Sequence, residues 1–337
     1  MTLSKKTISV ILLALVVGIA TSVGSYKINI YEVFNIITHN IFKIPISNEI
    51  DSKKEVIIWI IRFPRVLLAL LVGASLAVSG AVTQSVLKNP LASPYTLGVS
   101  SGASLGVAIV IATGLSMPYF GKFSLTVTGI VFSLMTVLIV LTFASKLDKN
   151  LSNMTVVLTG MVLSLFLSSV VTIIMALSKD GLESIVRWSM GSLALRGWSY
   201  VYAVLPFFLI GMIGILLHTK ELDALTFGEE NALTLGVSVK KVKRRLIILA
   251  AILAGSAIAV SGVIGFIGLI APHLVRKIYG SKHIYIIPFS VVVGGLFLIL
   301  ADLVARTIIT PSELPVGAVT SLLGAPFFIY VYFSGRK

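Results

Sequence analysis

Long apolar runs broken by short polar stretches dominate the chain. Each run approaches the ~20 residues that a helix needs to cross a hydrocarbon core about 30 Å thick. Ten spans are predicted, over residues 7–24, 63–86, 92–113, 123–145, 154–177, 200–217, 246–262, 264–279, 284–305 and 316–333. The eighth is short and carries Pro272, so a bent or partial crossing is expected there. Residues 29–40 and 185–195 read as short amphipathic segments outside the spans. Barrel strands would alternate apolar and polar positions over ~10 residues. The runs are continuous and longer, so the expected fold class is an all-α integral membrane protein of about ten helices, each satisfying its own backbone.

An internal repeat sits inside this pattern. Residues 69–80 read ALLVGASLAVSG and residues 251–262 read AILAGSAIAVSG, seven of twelve identical at an offset of 182. They fall in spans two and seven. An odd step in span number reverses orientation, the mark of an inverted-topology repeat and of transporter architecture. Gly98, Gly102 and Gly106 recur every four residues on one helix face. Either close helix packing or a smooth path for a bulky solute accounts for them.

Composition agrees. Hydrophobic residues make up 57% and charged residues 12% of the 337, where a soluble domain carries about 25% charge. Mean hydropathy is +1.04. The net charge of +14 does not point to nucleic acid, because the basic residues sit in short loops between apolar runs. They set topology instead. With the N-terminus inside, the cluster from Lys240 to Arg245 and the terminal pairs Lys5-Lys6 and Arg336-Lys337 are cytoplasmic, while Glu49, Asp51, Glu55, Asp180 and Glu183 lie outside. The first run could serve as a cleaved signal, with small residues at 22–25. An uncleaved first span is preferred, since it keeps Arg336 and Lys337 inside. One polytopic membrane domain over 1–337 is expected, with 219–245 as its cytoplasmic loop.

Little catalytic chemistry is present. There is no cysteine, hence no disulfide or thiolate site. The four histidines show no metal spacing. No Gly-x-x-x-x-Gly-Lys-Ser/Thr loop occurs, so any ATP would be used by another chain and no cofactor is expected on this one. Asp302 is the one carboxylate in an apolar run; it is expected to pair with Arg306, four residues on, rather than to couple an ion. In the inner loop, Gly228-Glu229-Glu230 can open a helix. Ala232, Leu233 and Leu235 would form its apolar patch, and Gly236 would end it. Such a patch is either a partner contact or part of an ordinary solvated loop.

Several segments, in order, resemble one family. These are Arg62-Phe-Pro-Arg65, Lys88-Asn-Pro-Leu-Ala-Ser-Pro94 with Leu97-Gly-Val-Ser-Ser-Gly102, and Trp188-Ser-Met-Gly-Ser192. Gly228-Glu229 follows, with Leu235-Gly-Val237, then Gly265-Phe-Ile-Gly-Leu-Ile-Ala-Pro-His-Leu-Val-Arg276. The set closes with Ala301-Asp-Leu-Val-Ala-Arg306, Glu313-Leu-Pro-Val-Gly317 and Leu323-Gly-Ala-Pro326. It resembles the FecCD-like permease subunits of type II ABC importers for iron–siderophore, haem and cobalamin.

The resemblance implies a ten-helix subunit in a bacterial inner membrane, both termini cytoplasmic. It would pair with a second copy or paralogue, two ATPase subunits that use ATP-Mg, and an extracytoplasmic substrate-binding protein. Arg62, Arg65 and Arg306 would dock the binding protein. Gly228, Glu229, Ala232, Leu235, Gly236 and Val237 would couple to the ATPase. Asn89 and Leu91 would form one cytoplasmic gate. A second gate, built in the family from small hydroxyl residues before span five, would fall on Asn153 and Met154, which depart from that pattern. The implied cargo is a ferric siderophore, with haem or cobalamin as alternatives. An ion-coupled secondary carrier is the reading from another class; it needs no neighbouring ATPase.

Overall fold

A computed structural model describes residues 3–24, 26–44, 51–115, 120–178 and 180–334. Glu49, Lys179, Arg336 and Lys337 lie outside the described residues, as does Ser25 of the alternative cleavage site. The described chain is helical, without strands. It runs α1 (Leu3–Ser22), α2 (Ile30–Phe42), α3 (Ser52–Glu55), α4 (Phe63–Leu87), α5 (Val99–Thr113), α6 (Ser124–Leu147), α7 (Asn153–Leu177) and α8 (Leu182–Ser189). It continues with α9 (Trp198–Leu217), α10 (Thr219–Thr226), α11 (Glu229–Thr234), α12 (Val239–Ser261), α13 (Ile267–Tyr279), α14 (His283–Thr307) and α15 (Val316–Ser334).

Six helical runs are long and apolar enough to cross a membrane alone: Ser52–Leu87, Ser124–Leu147, Asn153–Leu177, Trp198–Leu217, Val239–Ser261 and His283–Thr307. Three apolar helices are shorter, at Thr7–Ser22, Val99–Thr113 and Val316–Tyr330. One buried apolar cluster continues from Ala20 of α1 through the bundle to Val319 of α15.

Two predicted spans are only partly helical. Span three was expected to be helical from residue 92, but α5 begins at Val99. Pro90 and Pro94 supply no N–H, and Gly98 adopts φ +81, so residues 88–98 enter as a loop with one 3₁₀ turn, Pro94–Leu97. Span eight has the same build. Residues 262–266 are non-helical, with Gly262 at φ +73 and Phe266 at φ +67; the 13-residue α13 that follows rises about 20 Å. The two irregular pieces meet where the Tyr95 hydroxyl donates to the carbonyl of Ile264.

Packing follows the inverted repeat. α4 and α12, which carry the matching segments, each pack on the helix two spans beyond the other: α4 on α14 and α12 on α6. Matching glycines make matching crossings. A Cβ on Gly73 would fall 2.3 Å from the carbonyl oxygen of Gly294, and one on Gly255 would fall 2.2 Å from Ser133 Oγ. The glycines of α5 face α6: Gly102 lies against Thr136 and Gly106 against Phe132. They serve close packing and do not line a path.

The chain enters α4 through a π-helical segment, Val56–Arg62. Pro64 donates no N–H, and the Trp59 carbonyl instead accepts the Trp198 indole N–H at 2.7 Å. Trp59, Phe63, Trp198 and Tyr202 cluster there, as aromatic side chains do at a membrane rim.

Candidate functional site

The polar chemistry gathers at the two ends of α4. From Arg65 to Lys88 the helix rises roughly 35 Å, enough to place these residues on opposite sides of a hydrocarbon core.

At the first end, α1, α4, α14 and the segment before α15 converge on three arginines. Arg65 and Asp302 are 7% and 1% exposed. Their Nη2–Oδ1 distance is 2.8 Å, and Nε donates to both carboxylate oxygens at 3.1 Å. Arg65 also grips Glu313 through Nη1 at 2.8 Å and Nη2 at 2.9 Å. Asp302 was expected to pair with Arg306, but that contact is longer, at 3.7 Å. The nearer partner is Arg65, which no local spacing could indicate. Arg306 donates to the Ala20 carbonyl, and its buried Nε has no hydrogen-bond partner. Arg62 donates to the carbonyls of Ser22 at 2.7 Å and Tyr26 at 2.6 Å.

The arginines are therefore brought together, but as buried groups with internal partners rather than as free surface charges. Three guanidinium groups face two carboxylates, leaving one positive charge in excess. A cavity of about 190 Å³, lined by Arg62, Arg65, Arg306 and Glu313 among others, opens beside them. The Arg65 hydrogen bonds hold the Glu313 carboxyl below its usual range, against the opposing effect of burial.

At the other end lies the inner loop. It holds two short helices, α10 and α11, the second opening at Glu229 as expected. α11 ends as a Schellman motif, with Gly236 at φ +80, its N–H on the Leu233 carbonyl at 2.9 Å and Val237 N–H on the Ala232 carbonyl at 3.0 Å. The expected apolar patch is altered. Ala232 is 0% exposed and packs inward, whereas Leu235 is 69% exposed and stands with Leu233 and Phe227 on the surface. Gly228 has φ +125 and precedes the helix.

Lys243 of α12 is 1% exposed. Its ammonium donates to Glu229 at 2.8 Å and to the Leu151 carbonyl at 3.0 Å. Leu151 is left-handed, φ +54, a conformation costing about 1–2 kcal/mol in an L-residue. Two residues on, Asn153 opens α7 behind the Ser152 cap. Asn153 Oδ1 is buried without a partner, and Met154 is exposed. Asn89 and Leu91 follow α4, both exposed, with Asn89 Oδ1 accepting the Leu91 N–H at 2.9 Å. A lysine in a basic run suggested only topology. Its register with Val239, Val242, Leu246 and Ile247, all buried, was the available signal that it faces inward.

No group of three or more metal-binding side chains occurs among the described residues. A multi-spanning bundle wrapped around an inverted repeat, with polar machinery at both ends, defines a membrane transport permease. The chain belongs to the FecCD transport family, whose profile matches residues 11–334. It is 45% identical over 319 residues to the Bacillus subtilis ABC transporter permease protein YvrB, covering 95% of this chain and 90% of that one. It is 41% identical to the hemin transport system permease protein HmuU of Yersinia pestis, covering 83% and 84%. The solved structure of a metal-chelate type ABC transporter in an inward-facing conformation superposes with a TM-score of 0.85 at 32% identity, covering 97% of each chain. The chain is thus a multi-pass permease subunit of an ABC importer, resident in the inner membrane and not itself an enzyme.

Proposed function

We propose that this permease passes a bulky iron chelate, a ferric siderophore, into the cytoplasm as one half of a permease pair driven by two ATPase subunits. Both termini face the cytoplasm, and a substrate-binding protein delivers cargo at the Arg65 end of α4. The observation that carries the reading is the Lys243 junction. One buried ammonium joins α11 in the inner loop to the backbone just ahead of α7, so a push on the exposed Phe227–Leu235 surface reaches α7 as a rigid lever.

The gate assigned to Asn89, Leu91, Asn153 and Met154 lies at that same end. The coupling role assigned to Gly228, Glu229, Ala232, Leu235, Gly236 and Val237 fits a short helix with a fixed stop. The second copy is supported by α7, which exposes Ser168, Ser169 and Thr172 as well as apolar side chains. Exposed hydroxyls in a span favour a polar path or a protein neighbour over lipid. The cavity lined by Arg62, Arg65 and Arg306, with one positive charge in excess, supports docking of an acidic side chain from the binding protein.

The test is reconstitution in vesicles with and without the cognate ATPase and binding protein. Uptake of ferric siderophore that needs both, and stops without ATP hydrolysis, is expected. Uptake by the permease alone that collapses with an uncoupler would instead establish an ion-coupled carrier. A haem cargo is the second reading, favoured by the 41% identity to a hemin permease; preferential capture of haem by the binding protein would select it.

A further inference from the structure

A second polar cavity, of about 390 Å³, lies at the Lys88 end of α4. Gln84, Ser85, Lys88, Arg276, Ser281 and His283 line it. Four elements meet there: α4, α10, α13 and the start of α14. The hydrogen-bond directions are set by one carboxylate. Asp223 Oδ1 accepts the His283 backbone N–H at 2.9 Å and lies 2.6 Å from Nδ1. The proton therefore sits on Nδ1, and Nε2 accepts from the Ser85 hydroxyl at 2.7 Å. Ser85 in turn accepts from Arg276 Nη2 at 3.3 Å, while Arg276 Nη1 donates to Gln84 Oε1 at 2.5 Å.

Each of these contacts to Arg276 is from a neutral acceptor. No carboxylate pairs with Arg276 or with Lys88 among the described residues. The one nearby acid, Asp223, is engaged by His283 and does not line the cavity. A half-buried guanidinium and an ammonium thus face a common space with no anion of the protein's own. Partly burying the Arg276 guanidinium without a counter-charge is unfavourable, and the exposed Lys88 adds positive charge at the mouth, so the space favours an anion from outside. The Ser281 side chain at its wall adds a hydroxyl donor to the two cations, a set suited to an oxyanion with several acceptor oxygens; the Thr226 hydroxyl is already spent on the Asp223 carbonyl at 2.6 Å.

We propose that this cavity binds a phosphate group. Its position beside the last turn of a span admits two sources with the same chemistry, an anionic phospholipid headgroup and free phosphate. Bound there, the anion would tie α10 of the inner loop to α4 and α13, and so brace the lever against the bundle.

The purified permease is tested in two arms. In the first, nanodiscs of phosphatidylcholine are compared with nanodiscs that include phosphatidylglycerol, reading melting temperature and lipids retained in native mass spectra. In the second, detergent-solubilised protein is titrated with inorganic phosphate against chloride at equal ionic strength. Stabilisation by phosphatidylglycerol alone identifies the lipid source, and stabilisation by inorganic phosphate identifies the free anion; either supports the site. Lys88→Gln removes one charge-assisted contact and should weaken the effect about tenfold. Arg276→Gln should abolish it, and Lys88, exposed beyond α4, provides a variant that folds if Arg276→Gln does not. The site is overturned if neither anion stabilises the wild type, or if Lys88→Gln responds as the wild type does.

Discussion

Single side chains fix the Arg65 end through charge. Asp302 is nearly inaccessible and lies against two arginines. Removing one member of a buried ion pair typically costs about 3–5 kcal/mol, because the partner is left uncompensated. Asp302→Asn should therefore lower the melting temperature of the purified permease sharply; an unchanged transition would show that Glu313 alone satisfies Arg65. Glu313 gives a pH test. Its folded pKa is depressed by Arg65, so its stabilisation is complete above the unfolded value of about 4.3 and is lost as pH falls through the folded value. The stability gap between wild type and Glu313→Gln should be widest near neutrality and close on acidification; a gap that widens toward low pH would contradict the assignment. The Asp302–Arg306 contact was legible in the sequence from its four-residue spacing. The nearer partner of Asp302 was not. Arg65 and Asp302 are 237 positions apart, and only the packing of α4 on α14 brings them together.

Among the helices, apolar run length placed nearly every span, because a membrane element must satisfy its own backbone. It failed at residues 92–98 and 264–266, which it assigned to spans and which are not α-helical; irregular backbone at membrane depth needs protein rather than lipid around it. Proline at 90 and 94 was the readable warning for the first. For the second, the shortness of span eight and Pro272 already pointed to a partial crossing, but not to an irregular stretch ahead of α13. The repeat does not extend to the breaks: Ala-Val-Ser-Gly ends α12 at residues 259–262 but lies inside α4 at residues 77–80. In α4 this segment makes a close approach: a Cβ on Gly80 would lie 2.0 Å from the Gly268 carbonyl oxygen. Gly80→Ala should force α4 and α13 apart and destabilise the fold by about 1–3 kcal/mol. Thermal unfolding in detergent would reveal it, and a wild-type transition would mean the two helices can separate freely.

Across the whole molecule, the two polar ends of α4 allow separate tests of the two proposed neighbours. Lys243→Met keeps the side-chain length but removes both contacts to Glu229 and Leu151. In the assembled transporter it should leave ATP hydrolysis largely intact while uptake per ATP falls several-fold. Equal uptake would take the lever out of α11. At the opposite end, Arg306→Glu should weaken capture of the loaded binding protein, measured as slower association at low salt; unchanged association would move the docking surface elsewhere. α5 and α13 each begin partway along their predicted spans. A rod continuous from face to face would carry every displacement straight through the bilayer, opening one door whenever it opened the other. Two shorter rods, joined ahead of their first turns through Tyr95 and Ile264, would allow the two faces to move separately, as the proposed import cycle requires.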